Sequence, residues 1–172
     1  REAQMRIKIT ATGTHDEAGR RGLQEASLRV ESAGDVLLAE LLQPVALLST
    51  NTPLPLRARL QGDLRSWRTR VRPWLPAVDL SLDGFIDANF QGTGSPHLMV
   101  IDALDIRVNQ FNLVGAGLNI REPEVQLTTQ AMFNLDEMEF VTTKATYASS
   151  SLAFQAEDVR LKCSPTQFEI SG

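Results

Sequence analysis

The sequence has few of the residues that build most catalytic and metal sites. It contains one cysteine and two histidines in 172 residues. A single cysteine excludes a disulfide within the chain and the metal sites that several cysteines form together. The aromatic fraction is 6%, and lysine is scarce, with 3 Lys against 14 Arg. No run of 18 apolar residues occurs, so the sequence predicts no helix that spans a membrane.

Alternation of apolar and polar residues with a period of two is the dominant pattern. One-sided alternation indicates antiparallel strands with one solvated face, because strands of parallel sheets are usually buried on both faces. We predict a mostly β fold, an antiparallel, strongly twisted or curved sheet of roughly nine or ten strands, in one domain spanning residues 1–172. The alternating apolar residues include Met5, Ile7 and Ile9; Leu28 and Val30; Leu54, Leu56 and Leu60; Ile86 and Phe90; Leu98, Val100, Leu104, Ile106 and Val108; Val125, Leu127 and Phe133; Phe154; and Val159 and Leu161.

Glycine, proline and polar clusters predict the connections between these strands. We interpret Gly13–Gly22 as a polar loop, residues 91–96 as a turn cluster and Gly115-Ala116-Gly117 as a tight connection. Ser164-Pro165 is expected to end a strand. The chain opens at Arg1 and closes in a strand-like segment, so we expect it to be a fragment of a longer protein.

Two segments depart from the alternation. Residues 63–72 are predicted to form one short amphipathic helix, because Asp63 is suited to cap its amino end, and Leu64, Trp67 and Val71 share a helical face. Residues 35–42 (DVLLAELL) fit either a helix or a buried strand, and the strand-like run after Pro44 favours a strand.

No constellation of residues predicts an enzyme. His15 and His97 both lie in predicted turns. Asp79, Asp83 and Asp87 share the polar parity of one strand, but positions four apart are separated by roughly 13 Å, too far for one ion. We therefore expect no catalytic residues, no cofactor and no metal site.

The segment between Arg57 and Arg72 is strongly basic. It holds six arginines and one acid, a local net charge of +5, in a chain whose net charge is −4. Guanidinium groups bind anions bidentately, and the segment also carries a tryptophan, as amphipathic elements at membrane surfaces often do. An alternative is that these arginines pair with acids on neighbouring strands. Nucleic acid is not expected as a partner of an acidic chain with few aromatics. The candidate contacts for an anionic partner are Arg65, Arg68, Arg70, Arg72 and Trp67.

Two stretches resemble repeated elements of AsmA-like and TamB-like bacterial envelope proteins. In Leu113–Leu127 (LVGAGLNIREPEVQL) a strand leads through Glu122-Pro123 into the next strand. The stretch 53–64 (PLPLRARLQGDL) is similar to an alternating strand followed by Gly, a polar residue and Leu. The resemblance covers about residues 28 to 160.

The resemblance implies an apolar β-groove that handles lipid, with no catalytic residues, in the periplasm or cell envelope. The alternating apolar residues would face the groove. Lipid, an anionic membrane surface and other segments of the same long protein are the partners it implies. The alternative is a β-sandwich interaction or adhesion module of a large surface or secreted protein, which would bury its apolar faces between two sheets.

Overall fold

A single open sheet contains every strand that the structure describes. The computed structural model describes residues 5–15, 21–46, 49, 51–66, 80–115, 117–163 and 168–171. Neighbouring strands are antiparallel throughout and the sheet does not close, which confirms the predicted mostly β, antiparallel fold. The strands are β1 (Met5–His15), β2 (Arg21–Ser32), β3 (Asp35–Leu41), β4 (Val45–Ala46), β5 (Leu54–Asp63), β6 (Leu80–Gly94), β7 (Leu98–Gly115), β8 (Leu118–Asn134), β9 (Glu139–Ser149), β10 (Ala153–Cys163) and β11 (Phe168–Ser171).

The strands follow one another across the sheet in chain order. Each strand pairs with the next one along the chain, except that β3 pairs directly with β5, while the two-residue β4 pairs with β2. β1 and β11 are therefore the two edge strands. Local pairing of this kind needs only short connections, and the Gly115-Ala116-Gly117 connection between β7 and β8 lies where the sequence predicts it.

The ambiguous segment 35–42 forms a strand, as favoured from the sequence. β3 pairs with β2 on one side and β5 on the other. The two residues that join it to β2 are Ala33 and Gly34, both with positive φ of 51° and 91°. Two consecutive positive φ values are typical of the type I′ hairpin turn, whose twist matches that of the strands. The tight turn thus places the segment beside β2 as its antiparallel partner.

The predicted helix begins where Asp63 ends β5. Residues 64–66 are helical, and the carboxylate of Asp63 accepts a hydrogen bond from the backbone N–H of Arg65 at 2.7 Å. This is the capping interaction that the sequence predicts. The rest of the predicted helix, residues 67–72, lies outside the described residues.

Two predicted connections are shorter than expected. β1 continues to His15 and β2 starts at Arg21, so both ends of the expected 13–22 loop belong to strands, and His15 is a strand residue. Residues 91–94 are likewise the end of β6, and the turn lies at 95–97. A Cβ on Gly92 would lie 2.0 Å from the carbonyl oxygen of Val100 on β7. Gly92 therefore allows two strands to approach closely and does not mark a turn.

The two faces of the sheet follow from its register, because residues paired across strands project to the same side. One face, which we call the apolar face, carries the alternating apolar residues. The other, the polar face, carries most of the charged residues. One registered row on the apolar face crosses nine strands without a polar residue, and we call it the apolar row: Ile7, Val30, Leu37, Leu60, Ala88, Ile106, Leu127, Tyr147 and Phe154.

Bulges in β7 and β10 keep the apolar residues on one face although their sequence parity changes. Asp102 is an extra residue in β7, since Gln91 pairs with Ala103 and Gly92 with Ile101. Ile101 therefore joins the apolar face, whereas Leu98 and Val100 project to the polar face. The expectation that Leu98 and Val100 share a face with Val108 is wrong for this reason. Asp158, with φ of 53°, produces the corresponding shift in β10.

Candidate functional site

The apolar row is the most extensive functional candidate that the described residues form. Nine strands at a spacing of about 4.8 Å give the row a length of about 38 Å. Single hydrocarbon leaflets of a membrane are about 15 Å thick, so the row exceeds the length of one acyl chain. A neighbouring row on the same face, from Ile9 through Leu28, Ala58 and Phe90 to Leu104, is apolar as well. Together the two rows form a continuous apolar surface.

This surface is open to solvent at its two ends and partly covered between them. Among the described residues, no large side chain is fully buried. On the apolar row, Ile7 is 55% exposed and Phe154 is 49% exposed, whereas Ala88 is buried and the other six residues are partly buried. The chain has an accessible surface of 12135 Å², whereas a compact protein of 19.0 kDa has about 8,400 Å². The sheet is therefore an open layer rather than half of a closed core.

The best-covered part of the apolar face lies below the start of the helix. Leu64 packs with Val108 and Val125, and all three are buried. Partly buried apolar residues surround them, including Phe111 and Tyr147. Tyr147 in turn stacks on Phe154, with ring centroids 5.1 Å apart and planes inclined by 18°. The apolar row thus ends in an aromatic pair next to this cluster.

Two carboxylates are buried on the apolar face, and both have hydrogen-bond partners. Asp35 is 3% exposed and accepts a hydrogen bond from the backbone N–H of Asp63 at 2.8 Å. Glu122 is 7% exposed and accepts one from the hydroxyl of Ser150 at 2.5 Å. That hydrogen bond, with smaller contributions from Ser151 and Ser149, lowers the pKa of Glu122 against the opposing effect of desolvation. Both acids therefore hold the chain together locally, at the helix start and at the β9–β10 turn.

The polar face brings arginines of β5 next to strand acids. Arg59 binds Asp87 through two hydrogen bonds, and Arg57 reaches Glu40 at 3.4 Å. The hydrogen bond from Arg59 is the main cause of a lowered pKa at Asp87, and one from Gln61 adds to it while burial opposes it. The same contact raises the pKa of Arg59. These arginines are therefore largely engaged within the sheet.

A shallow depression of about 630 Å³ lies over the polar face between β1 and β7. Its lining combines four cations with two acids and the exposed side chain of Leu38. The resemblance predicts a groove lined by apolar residues, and this depression lies on the opposite side of the sheet from the apolar row. The charged residues that line it are Lys8, Arg29, Glu40, Arg57, Arg59 and Asp105.

Of the five predicted anion contacts, only Arg65 falls within the described residues. Its Nε lies 2.7 Å from a carboxylate oxygen of Asp83 on β6, and this contact raises the pKa of Arg65. Its side chain is 72% exposed. Trp67, Arg68, Arg70 and Arg72 lie outside the described residues. For Arg57, Arg59 and Arg65, the alternative that arginines pair with acids on neighbouring strands describes the observed contacts.

One contact between a histidine and an acid had no signal in the sequence. His97, in the turn between β6 and β7, places Nδ1 3.0 Å from a carboxylate oxygen of Asp136, in the turn between β8 and β9. The backbone N–H of Leu135 also donates to the carbonyl of His97 at 2.9 Å. The two turns are adjacent only because four strands bring them to the same end of the sheet. Both side chains are more than half exposed.

In the described ranges, no three side chains of His, Cys, Asp or Glu meet as ligands of one metal ion. No helix within those ranges has the length and apolar character needed to cross a bilayer. Comparison with protein-family models, with curated proteins and with solved structures gave no match.

Proposed function

We propose that this chain is a non-catalytic, lipid-handling segment of a cell-envelope protein of the AsmA-like type. The observation that carries the proposal is the apolar row, which runs across nine strands of an open sheet with no polar residue in it. The row is exposed at both ends, at Ile7 and Phe154, and contiguous apolar surface that solvent reaches often marks a binding site for an apolar partner.

An acyl chain suits the shape of this surface. The row is narrow, continuous and longer than one acyl chain, and its side chains are aliphatic except at the aromatic end. Neither of the two buried acids is a member of the row, and both are occupied by hydrogen bonds within the chain. The row itself therefore presents no charged group to a hydrocarbon tail. Periplasmic or envelope localisation belongs to the same proposal.

The alternative function for the same surface is a β-sandwich interaction or adhesion module. A sandwich needs a second sheet to cover the apolar face. The described strands all belong to one sheet, so a covering sheet would have to come from outside them. The open layer favours lipid over a sandwich, and the difference is measurable.

Lipid binding is tested by native mass spectrometry of the purified chain and by titration with a fluorescent fatty acid. We expect co-purified lipid, and weaker fatty-acid binding when Ile7→Asn and Phe154→Asn are combined. These two residues are exposed, so the double variant is expected to fold. The matched control combines Leu38→Asn with Met132→Asn, which removes two exposed apolar side chains from the polar face. Absence of lipid from the native chain, or equal loss in both double variants, would contradict the proposal.

The arginine segment is a second, separable part of the proposal. We propose that Arg65, Arg68, Arg70 and Arg72, with Trp67, contact an anionic membrane surface. Replacing Arg65, Arg68 and Arg70 with Gln is then expected to weaken sedimentation with vesicles that contain anionic lipid, and not with neutral vesicles. The control is a triple variant in which Arg6, Arg121 and Arg160 are replaced with Gln. It removes the same amount of charge from other parts of the chain. Equal binding by both triple variants would remove the membrane contact while leaving the lipid proposal intact.

A further inference from the structure

The two edges of the sheet are protected to very different degrees. β1 runs for 11 residues, and all of them are exposed. It contains no proline and pairs along its length with β2 alone. In an antiparallel ladder, alternate residues direct their N–H and C=O groups to opposite sides, so about half of these groups in β1 face away from the sheet. Such an edge is a template for another strand.

The opposite edge lacks these properties. β11 pairs with Arg160–Cys163 of β10. The rest of the outer side of β10 is interrupted by Asp158, whose φ of 53° breaks the extended conformation. Bulges of this kind are one way in which natural sheets prevent further pairing. The difference singles out β1 as the edge that accepts a strand.

The side chains of β1 define what that strand must carry. On the apolar face, Met5 is 62% exposed and Ile9 is 73% exposed, because no neighbour covers them. On the polar face, Lys8 lies directly opposite Arg29, and like charges opposite one another are destabilising. Arg29 is held by Glu31 on its own strand. Arg6 lies opposite Glu31, but within the described residues no ion pair joins Arg6 or Lys8 to an acid.

We propose that the outer edge of β1 is a strand-addition site for an extended segment of another protein in which apolar and acidic residues alternate. The added backbone completes the hydrogen bonds of the edge. Its apolar side chains extend the apolar row beside Ile7, and its carboxylates face Lys8 and Arg6. Strand addition of this kind takes affinity from the backbone and specificity from alternate side chains.

A second copy of this chain fits the edge poorly. β1 (MRIKITATGTH) contains no acid, so pairing β1 with its own copy adds cations beside cations. Pairing β1 with the far edge of a copy meets the interruption at Asp158. An acidic strand from a different polypeptide supplies the charge that both arrangements lack. The inference is independent of lipid binding, because it uses the edge of the sheet and not its face.

The test uses the purified chain and a fluorescent peptide as long as β1 in which valine and glutamate alternate, with a valine–lysine peptide as the control ligand. We expect anisotropy to report binding of the glutamate peptide only, and added salt to weaken it. Hydrogen exchange is expected to slow at the amides of β1 when the peptide is present. Slowed exchange in other strands, or equal binding of both peptides, would overturn the proposal.

Charge variants test whether the glutamate peptide binds at β1 or is attracted to any positively charged residue of the chain. Lys8→Glu is expected to weaken binding of the glutamate peptide by about tenfold, and Lys8→Gln by less, since the first change turns a cross-strand attraction into a repulsion and the second only removes the attraction. Lys162→Glu makes the same change on the polar face of β10 and is expected to leave binding unaltered. With Arg6→Glu and Lys8→Glu combined, the lysine peptide is expected to bind instead. Loss of binding in Lys162→Glu, or concentration-dependent dimers that exclude the peptide, would contradict the site or its occupant.

Discussion

β1 and β7 carry the same alternation of apolar and polar residues, yet they differ in nearly every physical property. On the apolar face, Ile7 in β1 is 55% exposed, whereas Val108 in β7 is 6% exposed. β7 has a neighbour on each side and the start of the helix above it, while β1 has one neighbour. The comparison teaches that alternation determines which face a side chain occupies. The number of neighbours determines how far that side chain is buried.

The comparison also separates stability from function. The buried part of the apolar face, around Val108, is the part that stabilises the sheet. The exposed parts, towards β1 and at Phe154, add little to stability and are the parts available to a ligand. We therefore expect substitutions at the centre to unfold the chain and substitutions at the edge to change binding alone.

The largest expected effect is on the free energy of unfolding, which an aspartate at the centre of the sheet should lower far more than an aspartate at its edge. Val108→Asp places a carboxylate in the cluster of Leu64 and Val125, and we expect it to lower the free energy of unfolding by about 3 kcal/mol or more. Ile7→Asp is expected to cost about 1 kcal/mol or less, because its carboxylate stays in water. Urea denaturation followed by circular dichroism measures both. Similar losses of stability in the two variants would contradict the claim that β7 is buried and β1 is exposed.

A smaller difference is expected between two strand glycines. Gly92→Ala forces a Cβ to within 2.0 Å of the carbonyl oxygen of Val100, so β6 and β7 must separate, at a cost of about 1–3 kcal/mol. The Cβ of Gly13→Ala on β1 would lie 3.6 Å from the nearest backbone atom, and we expect a change within about 0.5 kcal/mol. Thermal unfolding of the two variants side by side checks this. A harmless Gly92→Ala would mean that the close approach at the bulge is not required.

The smallest expected effect concerns the pH dependence of stability at Glu122. Its pKa in the folded chain is lowered by the serine hydroxyls around it, below the unfolded value of about 4.3. Its contribution is therefore complete above about pH 4.3 and is lost as the pH falls through the folded pKa. We expect Glu122→Gln to be less stable than the native chain at about pH 6, and the gap to narrow towards about pH 3.

Urea midpoints at several pH values measure that gap. Glu124→Gln is the control, because Glu124 is an exposed acid two residues along β8. The control is expected to show a gap that is small and changes little with pH. A gap for Glu122→Gln that stayed constant on acidification would contradict the role of the serine hydrogen bonds.

Much of the fold was predictable because period two is a local property of the chain. The strand character of Met5–Ile9, the apolar face of β5 and the cap at Asp63 all depend on residues a few positions apart. The choice of strand for residues 35–42 was also local, since it rested on Pro44 and the strand-like run that follows it. These features required no knowledge of which strands meet.

The errors arose where a neighbouring strand decides the outcome. Glycines at 92 and 94 suggest a turn, but Gly92 is needed for close approach to β7. Leu98 and Val100 share sequence parity with Val108, but the bulge at Asp102 turns them to the other face. The ion pair of Arg59 with Asp87 joins residues that are close only through the β5–β6 register. No periodicity within one strand carries that information.

The sequence by itself determined that this chain is a β-protein with one apolar and one polar side, because alternation of side chains along an extended backbone is local geometry. Only the tertiary structure decided that the apolar residues of nine strands line up in one row, that β1 is left as an open edge, and that Arg57, Arg59 and Arg65 meet strand acids. Register and strand order bring together residues far apart in the chain. They are set by the combined pairing of all the strands and by no single segment.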